Sequence, residues 1–318
     1  NLGSLPHISV GGACATGTHG SGDGNRVLAS AVRAVELVTG TGELRTVQRG
    51  EPGFEVAVLG LGAAGVATRI TLDAGPTFDV RQDLYDDVPF GELFDDLTGL
   101  TGAAYSVSLF TTLQTDVFDQ VWLKQVDDGT LAAPAPTFHG GRLADGPRHP
   151  VAGMPVEHAT TQGRTGSWNR RLPHFRLEHT PSAGEELQSE FLVPRENAVA
   201  AWREVVALRD LIAPLLLVSE VRTVARDELW LSPAQGRDVV GVHFTWRLDV
   251  PAVHAVLAVL EPRLVALGAR PHWGKVFLTP PDQVRALYPH ADDATSALAA
   301  FDPAGRMRNA YVDAYLPR

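Results

Sequence analysis

A single cysteine, Cys14, in 318 residues rules out an intramolecular disulfide framework, so the fold rests on its core. Such sparing use of cysteine fits a reducing cytoplasm. Basic residues are the minority sign: 27 Lys and Arg against 37 Asp and Glu leave a formal charge of -10, with no lysine- or arginine-rich tract. That balance argues against nucleic acid or an anionic membrane surface as partner. No apolar run approaches the roughly 18 residues a spanning helix needs. The first residues have neither the basic n-region nor the apolar stretch of a secretion signal. An HExxH or clustered Cys/His zinc set, a GxSxG nucleophile elbow and a P-loop are all missing, and no metal is expected. There are no repeats. The chain also opens without methionine, only three residues before Ser4 begins a glycine-rich stretch, which suggests a longer parent protein.

What is present is an ordinary globular composition, 44% hydrophobic and 20% charged. At about 150 residues per domain the length suggests two domains or one two-lobed unit. Residues 32–38 and 43–47 read as strands joined through Gly40-Thr41-Gly42. A second strand pair is expected around Gly60 to Gly65, with residues 54–59 before it and Val66, Thr68, Ile70 and Leu72 alternating after it. Gly75-Pro76 then closes the first lobe. Residues 132–155 read as a long Pro/Gly-rich surface loop, and the acidic run 83–96 as a solvated face. Residues 197–212 have the apolar spacing of an amphipathic helix ended by Pro214. A second helix is bracketed by Asp249 as cap, Pro251 in the first turn and Gly268 as stop. Between them lie strand-like runs at 215–224 and 239–246, and helices packed on a sheet predict an α+β lobe.

Three motifs carry possible chemistry. Gly60-Leu61-Gly62-Ala63-Ala64-Gly65 matches GxGxxG, yet only nine β-branched-rich residues separate it from Gly75, too few for the helix a dinucleotide fingerprint needs. It reads as a glycine-rich turn. Residues 4–24 are more informative: glycine and alanine let the backbone approach a flat ring or a diphosphate, and Ser and Thr add donors. A flexible linker would not place Ile8 and Val10 on one side of such a run, so a cofactor contact is the better reading. Finally, Glu220 and Arg222 are two apart in one strand-like run, as are His243 and Thr245 in the other, so each pair shares a face. Together they would form a polar floor, although solvent-facing alternation gives the same pattern. Arg270-Pro271-His272-Trp273-Gly274-Lys275 adds a cation and an imidazole.

These residues are recognisable together. Ser4-Leu5-Pro6-His7-Ile8-Ser9-Val10-Gly11-Gly12, continuing through Ala15-Thr16-Gly17-Thr18-His19-Gly20-Ser21-Gly22, resembles the flavin-contacting segment of bacterial alditol (xylitol) oxidases, within the vanillyl-alcohol-oxidase-type FAD family. The likeness continues in order through Ala104-Tyr105-Ser106-Val107-Ser108-Leu109-Phe110, Leu187-Gln188-Ser189-Glu190, Glu220-Val221-Arg222-Thr223-Val224, His243-Phe244-Thr245-Trp246, His272-Trp273-Gly274-Lys275 and Asp302-Pro303-Ala304-Gly305. It implies an α+β, two-lobed flavin oxidase: the C-terminal part of an FAD-binding domain (1–76), an antiparallel-sheet cap domain for substrate (77–290) and a segment (291–318) returning to the FAD side. It implies oxidation of a terminal polyol hydroxyl to the aldose, with O2 reduced to H2O2. Arg222 and Lys275 match catalytic positions, and Ser4, Glu220, Arg222, His243, Thr245 and Lys275 match polyol-binding ones. Ser4, Ser9, Gly12, Cys14, Ala15, Thr16, Ala67 and His272 match FAD contacts. The histidine that bonds covalently to FAD in such proteins has no counterpart here and would belong to a preceding part. A sugar-lactone oxidase of the same family and a fragment that binds no flavin are the alternatives.

Overall fold

The computed structural model describes residues 2–179 and 185–318. The glycine-rich opening segment is not all loop, because Val10–Ala15 (α1) is helical and Ser9 caps it, accepting from Gly12 N–H at 3.1 Å. Val32–Val38 (β1) and Leu44–Gln48 (β2) form the expected hairpin, with Val38 opposite Leu44. The second strand pair is only half there. Phe54–Val58 (α2) is a short helix, and Val66–Leu72 (β3) pairs instead with the free edge of β1, giving the order β2-β1-β3. Both edges of β1 are therefore taken, and residues 54–59 satisfy their backbone locally, as in Ala57 N–H to Gly53 O at 3.0 Å. Phe54, Val56 and Val58 are buried at period two, a pattern that five residues cannot distinguish from a strand. The glycines still make a turn into a strand. Gly65 has φ 151°, and a Cβ on it would lie 2.4 Å from Val38 O, so only glycine lets β3 begin against β1.

The larger sheet starts with Asp79–Pro89 (β4), followed by the helix Phe90–Thr101 (α3) and the strands Ser106–Thr111 (β5) and Val117–Asp127 (β6). The expected surface loop contains a small hairpin, Thr137–Phe138 (β7) with Gly141–Leu143 (β8), and Gly166–Ser167 (β9) pairs with β4. Glu186–Pro194 (β10) precedes Ala198–Ala207 (α4) and Arg209–Ile212 (α5), which divide the predicted single helix at Leu208. Leu216–Val224 (β11) and Val239–Arg247 (β12) follow, then Val250–Ala266 (α6) and Arg270–Pro271 (β13). The antiparallel order is β13-β10-β12-β11-β5-β6-β4-β8-β7. Asp249 caps α6 by accepting from Ala252 N–H at 3.1 Å, and Gly268, at φ 83°, lies just beyond its end.

One face of this sheet meets α4 and α6 around Phe118, Trp202, Val205, Val242 and Leu257. Phe90 packs edge-on against Phe118 and Trp202, contacts worth about 0.5–1.5 kcal/mol each beyond area burial. The acidic run is a solvated face only in part. Asp83 is buried and accepts from Arg81 and, at 2.9 Å, from Gln125 on the neighbouring strand; Asp86 is buried against Arg148 at 2.8 Å. Only Asp87, Asp95 and Asp96 of its aspartates face solvent. The helices Pro281–Ala286 (α7), Ala291–Phe301 (α8) and Ala310–Tyr315 (α9) return to the small sheet, where Val284, Leu298, Phe301 and Val312 share a core with Leu37, Val47 and Phe54. No helix among the described residues is long and apolar enough to cross a membrane.

Candidate active site

The face of the large sheet away from α4 and α6 carries a polar array fixed by strand register. Glu190, His243 and Glu220 lie side by side across β10, β12 and β11, and Phe110 of β5 continues the row. One pleat along, Leu192, Gly241 and Arg222 form the next row. Because alternate residues share a face, Arg222 and Thr245 join the same surface. Gly241 leaves room at its centre, since a Cβ there would stand 3.0 Å from Glu190 Oε1. Above this floor is a cavity of about 880 Å³, bounded by Ser4 and Thr16 from the opening segment, by Gly274 and Lys275 after β13, and by residues 149–154. The loop expected at the surface thus supplies a roof.

Two carboxylates anchor the charges. Glu190, with no side-chain exposure, accepts from Arg222 Nη2 at 2.5 Å through one oxygen and from Lys275 Nζ at 2.7 Å through the other. Glu220 Oε1 lies 2.8 Å from His174 Nε2, and its Oε2 is 3.6 Å from Arg222 Nε. Arg222 also reaches Ser4 Oγ at 3.3 Å. Burial is the strongest single influence and would raise both carboxyls, but Arg222 and Lys275 together at Glu190, and Arg222 and His174 together at Glu220, more than cancel it, and both stay ionised well below the ordinary 4.5. Burial lowers Lys275 from 10.5 and brings buried Lys124 down to about 7. It also takes His19 and His174 to about 4 and His243 and His272 well below 6.5, so the imidazoles are neutral at pH 7. Three amine or guanidinium groups thus face two fixed anions among neutral rings. His19, Glu190 and His272 converge closely enough to suggest a metal trio, but both oxygens of Glu190 are already held by cations.

Acid stability follows from these shifts. For each histidine the folded pKa lies below the unfolded value near 6.5, so the unfolded chain binds protons first and stability falls as pH drops from 6.5 toward 4. The depressed carboxylates act lower down: their contribution is present above 4.5 and is lost as pH falls toward their folded values. Calorimetry should show a midpoint that declines continuously from pH 7 to 3. His243→Gln should flatten only the upper part. A midpoint unchanged between pH 7 and 5 would contradict neutral, buried histidines.

Of the residues singled out from sequence, Ser4, Thr16, Glu220, Arg222, His243, Thr245, His272 and Lys275 line this one cavity. The others lie elsewhere. Ser9, the cap of α1, and Gly12 within it are exposed, and Ala67 is exposed on β3. Cys14 is 3% exposed within the core of the small sheet, where burial pushes its thiol up to about 11, so its side chain does not face the cavity. Ala15 is half-buried at the end of α1. Sequence reasoning missed Glu190, His19, His174 and Lys124. The first two were visible as polar residues within quoted motifs, and Glu190 shares its strand face with Gln188. No local signal marks His174 or Lys124.

A family model described as D-arabinono-1,4-lactone oxidase matches residues 184–315. Alditol oxidase of a Streptomyces species is 49% identical over 98% of this chain and 74% of its own length. L-gulono-1,4-lactone dehydrogenase of Mycobacterium tuberculosis is 25% identical over the same shares. Cholesterol oxidase from B. sterolicum superposes with a TM-score of 0.78 at 15% identity, covering all of this chain and 76% of that one, a likeness of fold alone. With half its residues shared with alditol oxidase across nearly its full length, the chain belongs to the alditol oxidase family of vanillyl-alcohol-oxidase-type flavoproteins.

Proposed function

We propose that the chain oxidises the terminal primary hydroxyl of an acyclic polyol such as xylitol or sorbitol to the aldose, with FAD as cofactor and O2 as the final acceptor. The observation that carries this reading is the floor itself: Glu220, Arg222, His243, Thr245, Ser4 and Lys275 converge on one cavity. A chain of hydroxyls needs many donors and acceptors in a row, and this wall supplies both kinds.

The residues present fit a flavin. Gly274 presents no side chain between His272 and Thr16, and an added Cβ would lie 3.5 Å from one and 3.7 Å from the other. Buried Nε2 atoms of His19 and His243 make no hydrogen bond. Ser4, Thr16, His272 and the backbone of the opening segment would hold the ring, and exposed Ser9, Gly12 and Ala67, on α1 and β3, would meet the remainder. When bound, FAD supplies a two-electron acceptor that is reoxidised by O2. The protein's own contribution is electrostatic: Lys275 and Arg222 face the reacting oxygen and stabilise the negative charge that develops as its proton leaves. His243, neutral and with Nε2 free, holds that hydroxyl's hydrogen bond.

The same reading assigns 1–76 and 291–318 to the FAD side and 77–290 to the substrate side, supported by the core that the C-terminal helices share with the small sheet. It leaves the covalent histidyl link outside these 318 residues. FAD bound to this chain should then be released by acid; flavin fluorescence remaining with the denatured polypeptide would contradict that. The test of function is peroxide release by the FAD-loaded chain with xylitol, sorbitol and L-gulono-1,4-lactone. Polyols should be turned over preferentially. Preference for the lactone would favour the lactone-oxidase alternative, and failure to retain FAD the inactive fragment.

A further inference from the structure

Behind the cavity wall lies a buried ionisable pair that the polyol chemistry above does not use. Lys124 sits on β6 and is 1% exposed, with Nζ 2.9 Å from His174 Nδ1 and 3.4 Å from Pro173 O; it also donates to Leu172 O. As an ammonium Lys124 has donors only, so Nδ1 of His174 accepts from it, and the ionised Glu220 carboxylate, an acceptor only, demands the same tautomer from the other side of the ring. The imidazole proton then sits on Nε2, which lies 2.8 Å from Glu220 Oε1 and donates to it. The ring cannot easily turn. Phe110 and Trp122 flank it edge-on, each with centroids 5.3 Å away, and the backbone at His174 is tied to Ser4 O at 3.0 Å and to Thr160 N–H at 2.8 Å.

The pair is expensive to maintain. A lysine amine sealed from water loses its hydration, and a hydrophobic residue of similar length would hold the 172–174 segment against β6 without that cost. What a hydrophobic residue would not do is choose the tautomer of His174. With the proton on Nδ1 instead, Nε2 would face the Glu220 carboxylate lone pair to lone pair, and the carboxylate would turn away.

We propose that Lys124 is a positioning residue for substrate recognition: it locks His174 in the Nε2–H tautomer, and His174 holds one oxygen of Glu220 so that the other stays beside Arg222 to accept a substrate hydroxyl. The last step rests on the polyol reading above. The tautomer lock does not.

Two measurements separate them. In the full chain with 15N-labelled histidine, His174 should show the Nε2–H pattern in the wild type, and Lys124→Met should shift it toward a mixture. In FAD-loaded protein, Lys124→Met and His174→Leu should each raise KM for xylitol about tenfold while kcat stays within about threefold. His174→Gln, whose amide can accept from Lys124 and donate to Glu220, should restore KM to within about threefold of wild type. An Nδ1–H tautomer in the wild type would overturn the proposal even if no variant folds, as would His174→Leu with an unaltered KM. A wild type with the Nε2–H tautomer but no polyol turnover would overturn the recognition step together with the polyol reading, leaving the tautomer lock standing.

Discussion

Glu190→Gln should lower the thermal midpoint on the order of 10 °C and cut polyol turnover by at least about a hundredfold. The carboxylate has no solvent exposure and is the shared partner of Arg222 at 2.5 Å and Lys275 at 2.7 Å. An amide of the same shape keeps one acceptor, turns its NH2 toward the second cation and removes the charge that balanced both. Removing one partner from a buried ion pair costs about 3–5 kcal/mol, because an uncompensated charge stays behind. At roughly 2–4 °C per kcal/mol for large domains, that gives the stated shift. Turnover falls for a second reason: without Glu190, Lys275 and Arg222 lose the group that fixes their positions in the cavity, where the proposed chemistry needs them. Calorimetry and peroxide assays on the FAD-loaded variant check both parts. A midpoint within about 2 °C of wild type would mean that the triad does not hold the site together.

The centrality of Glu190 was only partly legible in the sequence, and the reason is topological. Period-two alternation put Glu220 with Arg222 and His243 with Thr245, and the register then brought Glu220 opposite His243, because β11 and β12 are adjacent antiparallel strands. Glu190 belongs to β10, which comes before α4, α5 and β11 in the chain yet pairs with the far side of β12. No local pattern states that a strand formed earlier inserts beyond a later one. The same limit hides Lys124 and His174, whose contact spans 50 positions. It also explains why the acidic run is only partly the solvated face expected, since the partners that bury Asp83 and Asp86 include Gln125 and Arg148, far along the chain. Helix boundaries marked by a local device were legible: Asp249 and Gly268 bracket α6 because a cap and a left-handed stop are properties of one or two residues. Where the deciding term was a neighbouring edge, as for residues 54–59 beside a fully paired β1, propensity pointed to a strand and hydrogen-bond demand produced a helix.

Lys275→Met should reduce kcat about 10²–10³-fold while costing far less stability than Glu190→Gln. A preorganised donor aimed at developing negative charge is worth that factor in other enzymes. The smaller stability cost follows from position: Lys275 is 16% exposed at its side chain, lies in the turn after β13 and leaves Glu190 still paired with Arg222 when removed. The charge is also pH-sensitive. Burial lowers the Lys275 pKa from 10.5, against the pull of Glu190, so the cation is lost, and activity with it, as pH rises through a value below that of free lysine. Lys275→Arg keeps a charge that does not titrate in this range. It should retain measurable turnover and move the alkaline limb of the kcat profile upward. Burial also brings Lys124 down to about 7, so its titration has to be told apart from that of Lys275. A limb unmoved by Lys275→Arg but abolished by Lys124→Met would transfer the pH dependence to the buried lysine, and full turnover in Lys275→Met would remove Lys275 from the chemistry altogether.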